Sequence, residues 1–245
     1  MLTVAYDGTN YCGWQIQNNA DTIEAHLNQC LSDLLQEDIK ISGASRTDTG
    51  VHALMNLAVF DTTHRIEAGK IAGALNVRLP MDIRIKQSIE VEEDYHPRFV
   101  STRKSYQYRI YMGQYENPIG RNYAHFVYVP LDIEAMQKAC QYFIGEHDFK
   151  SFCSARAQVK TTVRTIYKAE IIKEGEYLLF NVTGNGFLFH MVRIIVGTLI
   201  KVGRGKIAPE QIPTILEACN RSAAGPTAPS RGLTLMKYEF LDEIN

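Results

Sequence analysis

Two successive stretches of the chain repeat one order of strand-like and helix-like periodicity, β-α-β-β-α-β, and that repetition predicts an α+β protein of two ferredoxin-like, RRM-like halves. The 245 residues are 45% hydrophobic, enough apolar material for the cores of two modest domains. No low-complexity segment or flexible linker separates the halves, which predicts that they pack together. Two such sheets joined side by side would leave one broad open face and an active-site cleft between the halves, with room for a large ligand. The boundaries read as 1–95 for the first half and 96–245 for the second.

The elements follow in order. Leu2 to Tyr6 reads as a strand, and Asp21 with Glu24 spells a capping box before a helix whose apolar stripe is Ile23, Leu27, Cys30, Leu31, Leu34 and Leu35. Ile39 to Ala44 and Ala53 to Phe60 are strand-like, a helix through Ile66, Ile71 and Leu75 stops before Pro80, and Asp82 to Val91 alternates as a strand. Beyond residue 95 come strand Lys104 to Met112, helix Asp132 to Ile144, strands Val163 to Lys173 and Glu176 to Thr183, helix Phe187 to Val202, and strand Leu233 to Leu241. A further helix begins at Pro209. Gly184-Asn185-Gly186 reads as a turn and Gly203-Arg204-Gly205 as a helix end, neither needing a ligand.

Composition narrows the class of function. The five cysteines, Cys12, Cys30, Cys140, Cys153 and Cys219, are odd in number and form no C-x-x-C pair, which argues for thiols in a reducing compartment and against a disulfide framework or a thiolate zinc site. The seven histidines show no H-x-x-x-H spacing, so no metal site is predicted. No signal-peptide pattern follows Met1, and the longest apolar stretch, 187–202, carries His190, Arg193 and Lys201 and suits a buried helix better than a membrane span. A cytoplasmic protein without membrane contact follows. The net charge of −1 hides an asymmetry: residues 1–93 hold 7 Lys and Arg against 13 Asp and Glu, giving −6, and the remaining 19 against 14 give +5. The basic second half suits a phosphate backbone, whose neutralisation releases counterions.

The segment Gly43 to Ala53, lying between two strand-like runs, is built like a site loop. Gly43 and Gly50 permit backbone conformations closed to other residues, and small polar groups surround the Asp48 carboxylate and the Arg46 guanidinium. Asp48-Thr49-Gly50 is also ordinary turn chemistry. It spells the short signature of an aspartic protease too, but Ser45, Arg46 and Thr47 precede it where a hydrophobic strand should, and the chain has no second such triplet to complete a dyad.

The same loop resembles the signature of the tRNA pseudouridine synthase A family, and further blocks agree in family order. They are Val4 to Thr9 with Tyr11 to Gln15 (Tyr11 standing where Phe is more usual), His96 to Phe99, Lys104 to Tyr108, Gly186 to Arg193, and Gly225 to Leu233. The resemblance covers essentially the whole chain, and ordered blocks agree by chance far less readily than one motif.

The resemblance implies a reaction without cofactor, in which the bond between uracil N1 and ribose is broken, the base is turned, and it is rejoined through C5. It implies tRNA as partner, targets at neighbouring positions 38, 39 and 40 of the anticodon stem-loop, and a homodimer. Asp48 would act either as nucleophile toward ribose or base or as the group that initiates glycal formation. A buried carboxylate needs a cation, and Arg193 is the partner the family implies. Its apolar neighbours Met191, Val192, Ile194 and Ile195 argue against a merely solvated arginine.

A stacked uridine must be extruded to react and then held against an aromatic surface. Tyr106 is the candidate, its ring for stacking and its hydroxyl for proton transfer at C5; the alternative is a packing tyrosine, because Tyr106, Tyr108 and Ile110 alternate with Gln107, Arg109 and Tyr111. Arg46 is placed to bind a phosphate or prop the gap left by the flipped base. His96, Arg98 and Phe99 form one basic and aromatic cluster, and Arg156 and Gln158 belong to a second polar run; both suit backbone contacts. A non-catalytic RNA-binding module shares the β-α-β-β-α-β order, but the aromatic RNP strand pattern is missing.

Overall fold

The computed structural model describes residues 1–93, 95–97, 100–154 and 159–241. The protein is mixed α and β, and its strand pairs are mostly antiparallel. It divides into two compact units, Met1–Thr102 joined by the chain from Thr234 onward, and Arg103–Leu233. The last strand, which the sequence order puts in the second half, is thus grouped with the first unit.

The first unit is built on β1 (Leu2–Tyr6), β2 (Ser42–Gly43), β3 (His52–Val59) and β4 (Ile83–Ser88) with helices α1 (Ile23–Leu35) and α2 (Ala68–Asn76). β1 lies between β4 and β3, antiparallel to both, with Leu2 opposite Ala58 and Val4 opposite Asn56. The far edge of β3 is shared. β2 pairs antiparallel with its end at Ala58 and Val59, and the final strand, Leu233–Phe240, runs parallel to its start at His52 and Ala53. Leu2, Val4, Leu57 and Ile83 from the strands and Ile23, Leu27, Leu31 and Leu75 from the helices form the core.

Two local expectations are corrected by the fold. The capping box does not form: Thr22 is the N-cap without a side-chain bond, Asp21 pairs instead with His26 at 2.7 Å, and the Glu24 carboxylate accepts from Ile16 N at 2.8 Å. The opening N–H groups of α1 are satisfied by main chain, Ile23 N donating to Gly13 O at 3.2 Å and Glu24 N to Trp14 O at 3.0 Å. The strand expected from Ile39 shrinks to Ser42–Gly43 because helix side chains take its earlier donors. Ile39 N donates to Ser32 Oγ and Ile41 N to Asn28 Oδ1, both at 2.9 Å.

The second unit is built on β5 (Thr102–Met112), β6 (His125–Val127), β7 (Gly145–Asp148), β8 (Val163–Glu174) and β9 (Tyr177–Gly184), with α3 (Ile133–Gln141), α4 (Met191–Gly203) and α5 (Ile212–Glu217). Its strands run β5-β9-β8-β7, antiparallel, with β6 added parallel to β5. The short β6 and β7 carry no alternation long enough to read from the sequence. Tyr106, Tyr108 and Ile110 face inward from β5, as their alternation predicts. Helix α4 starts at Met191 rather than Phe187, because His190 takes a left-handed conformation (φ +63) at the N-cap. Among the described residues, no helix is long and apolar enough to cross a membrane.

Candidate active site

Residues 44–51 connect β2 to β3, and Asp48 stands at the start of their tight turn. Its carbonyl accepts from Val51 N at 3.1 Å, and Gly50 (φ +75) supplies the positive φ that such a turn requires at its third position. Asp48 is half-buried and Arg46, two residues earlier, is exposed. One side of this loop therefore meets solvent while the other is anchored.

The anchor is a set of buried polar groups absent from the sequence-based expectations. Asn56 of β3, fully buried, accepts from Ser45 N at 3.3 Å and donates to Ser45 O at 3.0 Å and to Tyr6 OH at 3.4 Å. Tyr6 OH lies 2.7 Å from Thr47 Oγ1, and the Ser45 hydroxyl bonds that of Tyr238. The signal that could have found them is Asn56 itself, an amide in the apolar run of β3; a buried amide is kept where both its donor and acceptor are satisfied.

A second support comes from the turn after β1. Trp14 N donates to Thr47 O at 3.1 Å and Gly50 N to Tyr11 O at 3.2 Å. Gly13 (φ +91) packs so closely that a Cβ there would stand 2.6 Å from Thr47 O. Tyr11 is in turn held by Asp82, whose Oδ1 accepts its hydroxyl at 2.6 Å, and burial together with that bond pushes the hydroxyl above its ordinary range. Gly8 N donates to His52 Nδ1 at 3.1 Å directly after the turn.

In the second unit, Tyr106 is buried on β5 opposite Val182 and packs T-shaped against Phe187 at 5.0 Å between centroids. Arg193 is half-buried in the first turn of α4, among the buried Met191, Val192, Ile194 and Ile195. Its Nε donates to Ala228 O at 2.8 Å. Burial pushes the Tyr108 hydroxyl above its ordinary range, against the opposing pull of the Arg193 and Arg231 cations; that hydroxyl donates to Pro229 O at 2.7 Å. Gly197 and Gly225 let the segment 225–228 close against α4: a Cβ on Gly197 would meet Pro226 O, and Gly225 N donates to Thr198 Oγ1 at 2.8 Å.

Of the residues expected to contact RNA, Arg46 is exposed on the Asp48 loop and His96 is half-buried. Arg98, Phe99, Arg156 and Gln158 lie outside the described residues. Among the described residues no group of three or more His, Cys, Asp or Glu side chains could hold a metal ion, and all five cysteines are free thiols.

Comparison with known proteins gives the class first. A family model described as tRNA pseudouridine synthase matches residues 2–100 and 139–240. Curated relatives named tRNA pseudouridine synthase A align over nearly full length. That of Ruminiclostridium cellulolyticum is 48% identical over 240 residues, and that of Caldicellulosiruptor bescii 45% over 240, each alignment covering 98% of both chains. That of Exiguobacterium sp. is 45% identical over 243 residues, again 98% of both. The chain belongs to the tRNA pseudouridine synthase A family and is an isomerase. That membership sets aside both the protease and the non-catalytic RNA-binding module.

Proposed function

We propose that this protein isomerises uridine to pseudouridine in the anticodon stem-loop of tRNA, at neighbouring positions 38, 39 and 40, with Asp48 as the essential carboxylate. The observation that carries the reading is the Asp48 turn itself: a half-buried carboxylate whose loop is anchored by buried hydrogen bonds, in a chain matching the family over almost its entire length. Such anchoring is what a reacting group requires, since misplacement by about 1 Å can lower a rate on the order of a hundredfold.

In this reading Asp48 starts cleavage of the N1–C1′ bond, by attack on ribose or base or through a glycal. The base turns, C5 bonds to C1′, and the C5 proton is lost while N1 gains one. Arg193 supplies the cationic partner of the Asp48 carboxylate, and the backbone bond to Ala228 fits a guanidinium held in one orientation. Tyr106 is the stacking surface for the extruded uracil and the group that assists proton transfer at C5; its ring already packs T-shaped against another aromatic, Phe187. Arg46, on the exposed part of the Asp48 loop, binds a phosphate or props the emptied stack. His96, Arg98, Phe99, Arg156 and Gln158 contact the RNA backbone.

Two ferredoxin-like halves belong to the same proposal. For the first unit it is supported by the element order β1-α1-β2-β3-α2-β4 and the antiparallel pairing of β4, β1, β3 and β2. A cytoplasmic homodimer completes the reading, and a stable monomer fully active on tRNA would refute the dimer. The central test is tritium release from tRNA labelled at uridine C5, with no cofactor added. Asp48→Asn should bind tRNA and melt like the parent yet release no tritium; release by this variant would remove Asp48 from the mechanism.

A further inference from the structure

The two peptide groups that flank Asp48 are held by different partners. After it, the Asp48 carbonyl closes the turn onto Val51 N at 3.1 Å. Before it, the Thr47 carbonyl accepts from Trp14 N at 3.1 Å, and Gly13 closes over the same oxygen. With both peptides held, the carboxylate direction depends on how well Thr47 itself is fixed.

Thr47 is fixed by its side chain as well. It is buried, and its Oγ1 lies 2.7 Å from the hydroxyl of Tyr6, which is also buried. Asn56 Nδ2 donates to that tyrosine oxygen at 3.4 Å, and either hydroxyl of the Tyr6–Thr47 pair can be the donor in the bond between them. The chain of hydrogen bonds therefore runs from Asn56 through Tyr6 to Thr47, one residue before the carboxylate. Tyr6 comes from the end of β1, beside the irregularity in its pairing with β3, so its hydroxyl is delivered by a strand and not by the loop it restrains.

We propose that Tyr6 and Thr47 are a positioning pair for the reaction: their buried hydrogen bond sets the orientation of the Asp48 carboxylate, acting through the Thr47 backbone and not by touching uridine. This rests on the reading of Asp48 as the essential carboxylate. Burial separates the pair from RNA contact, so disturbing it should change the chemical step and leave tRNA affinity alone. Valine has the shape of threonine without the hydroxyl, and serine keeps the hydroxyl without the methyl, so the two substitutions separate packing from hydrogen bonding.

The experiment uses the full chain and an unmodified tRNA transcript carrying tritium at uridine C5, with each variant assayed below its melting temperature. Thr47→Val and Tyr6→Phe should each lower kcat on the order of tenfold to a hundredfold with KM within about twofold. Thr47→Ser should stay within about threefold of the parent, and the Tyr6→Phe/Thr47→Val double variant should lose no more than about the larger single loss, because both remove one bond. Parent-like kcat in folded Thr47→Val and Tyr6→Phe, with Asp48→Asn inactive, would overturn the positioning pair alone. Equal impairment of Thr47→Ser and Thr47→Val would overturn it too, by showing that packing and not the hydroxyl matters. Activity retained by Asp48→Asn would overturn the underlying reading of Asp48 and the pair with it.

Discussion

Arg193 and Ala228 are bonded in both directions: the guanidinium Nε donates to the Ala228 carbonyl at 2.8 Å, and the Ala228 N–H donates to the Arg193 carbonyl at 3.0 Å. The first turn of α4 is thereby fastened to the segment that precedes the last strand, and the guanidinium plane follows from backbone geometry. Lysine offers one ammonium in place of a planar fork and lacks a donor at the Nε position. Arg193→Lys should therefore lower kcat/KM for pseudouridine formation at least about tenfold while destabilising the fold by about 1–3 kcal/mol, from the unsatisfied buried carbonyl. Steady-state kinetics beside urea denaturation would check both.

Glycines at the Asp48 loop and in α2 should respond oppositely to alanine. At Gly13 a Cβ would stand 2.6 Å from Thr47 O, and φ is +91. Gly13→Ala should destabilise by about 1–3 kcal/mol and depress activity further than stability alone explains. Gly73, inside α2, borders open space, with nothing within 4 Å of where an added methyl would stand, so Gly73→Ala should stabilise by about 1 kcal/mol and leave turnover alone. Chemical denaturation of the two variants decides.

Asn56→Ala should be among the more damaging single changes in the first unit. It leaves Ser45 N, Ser45 O and Tyr6 OH without their amide partner in a buried site. A loss on the order of 3 kcal/mol is expected, since each buried group left unsatisfied costs about 1–3 kcal/mol. Thermal melting against the parent is the measurement.

Stability should also fall on the alkaline side. Burial, helped by the Glu170 carboxylate, pushes the Cys140 thiol up to about 12 from its ordinary value of 9.0. Over that interval the unfolded chain has released this proton and the folded one retains it, so the contribution is whole below about pH 9 and is lost as pH rises toward about 12. Denaturation midpoints measured from pH 8 upward should decline less steeply in Cys140→Ala than in the parent. In the native protein at pH 8, thiol reagents should modify Cys12 and Cys219, both partly exposed, and spare Cys140.

Element types and the place of the Asp48 loop between two strands were legible in the chain alone. Period-two alternation put Tyr106, Tyr108 and Ile110 on one face of a strand, and Gly43 to Ala53 marked a polar loop between strands, because both signals are local and survive in one dimension. Family resemblance, read from several ordered blocks, carried the class of enzyme.

What joins residues far apart in the chain emerged only from packing. Main-chain carbonyls of Gly13 and Trp14 begin α1 where the residues spell a capping box, and side chains of α1 take the donors of Ile39 and Ile41 that would have extended β2. The final strand runs parallel to β3 at His52 and Ala53. Tyr6, Asn56 and Tyr238 converge beneath Ser45 and Thr47 from three separate strands. Hydrogen-bond partners of this kind are chosen by which buried donors and acceptors the packed sheet brings within about 3 Å, a competition that no periodicity along the chain encodes.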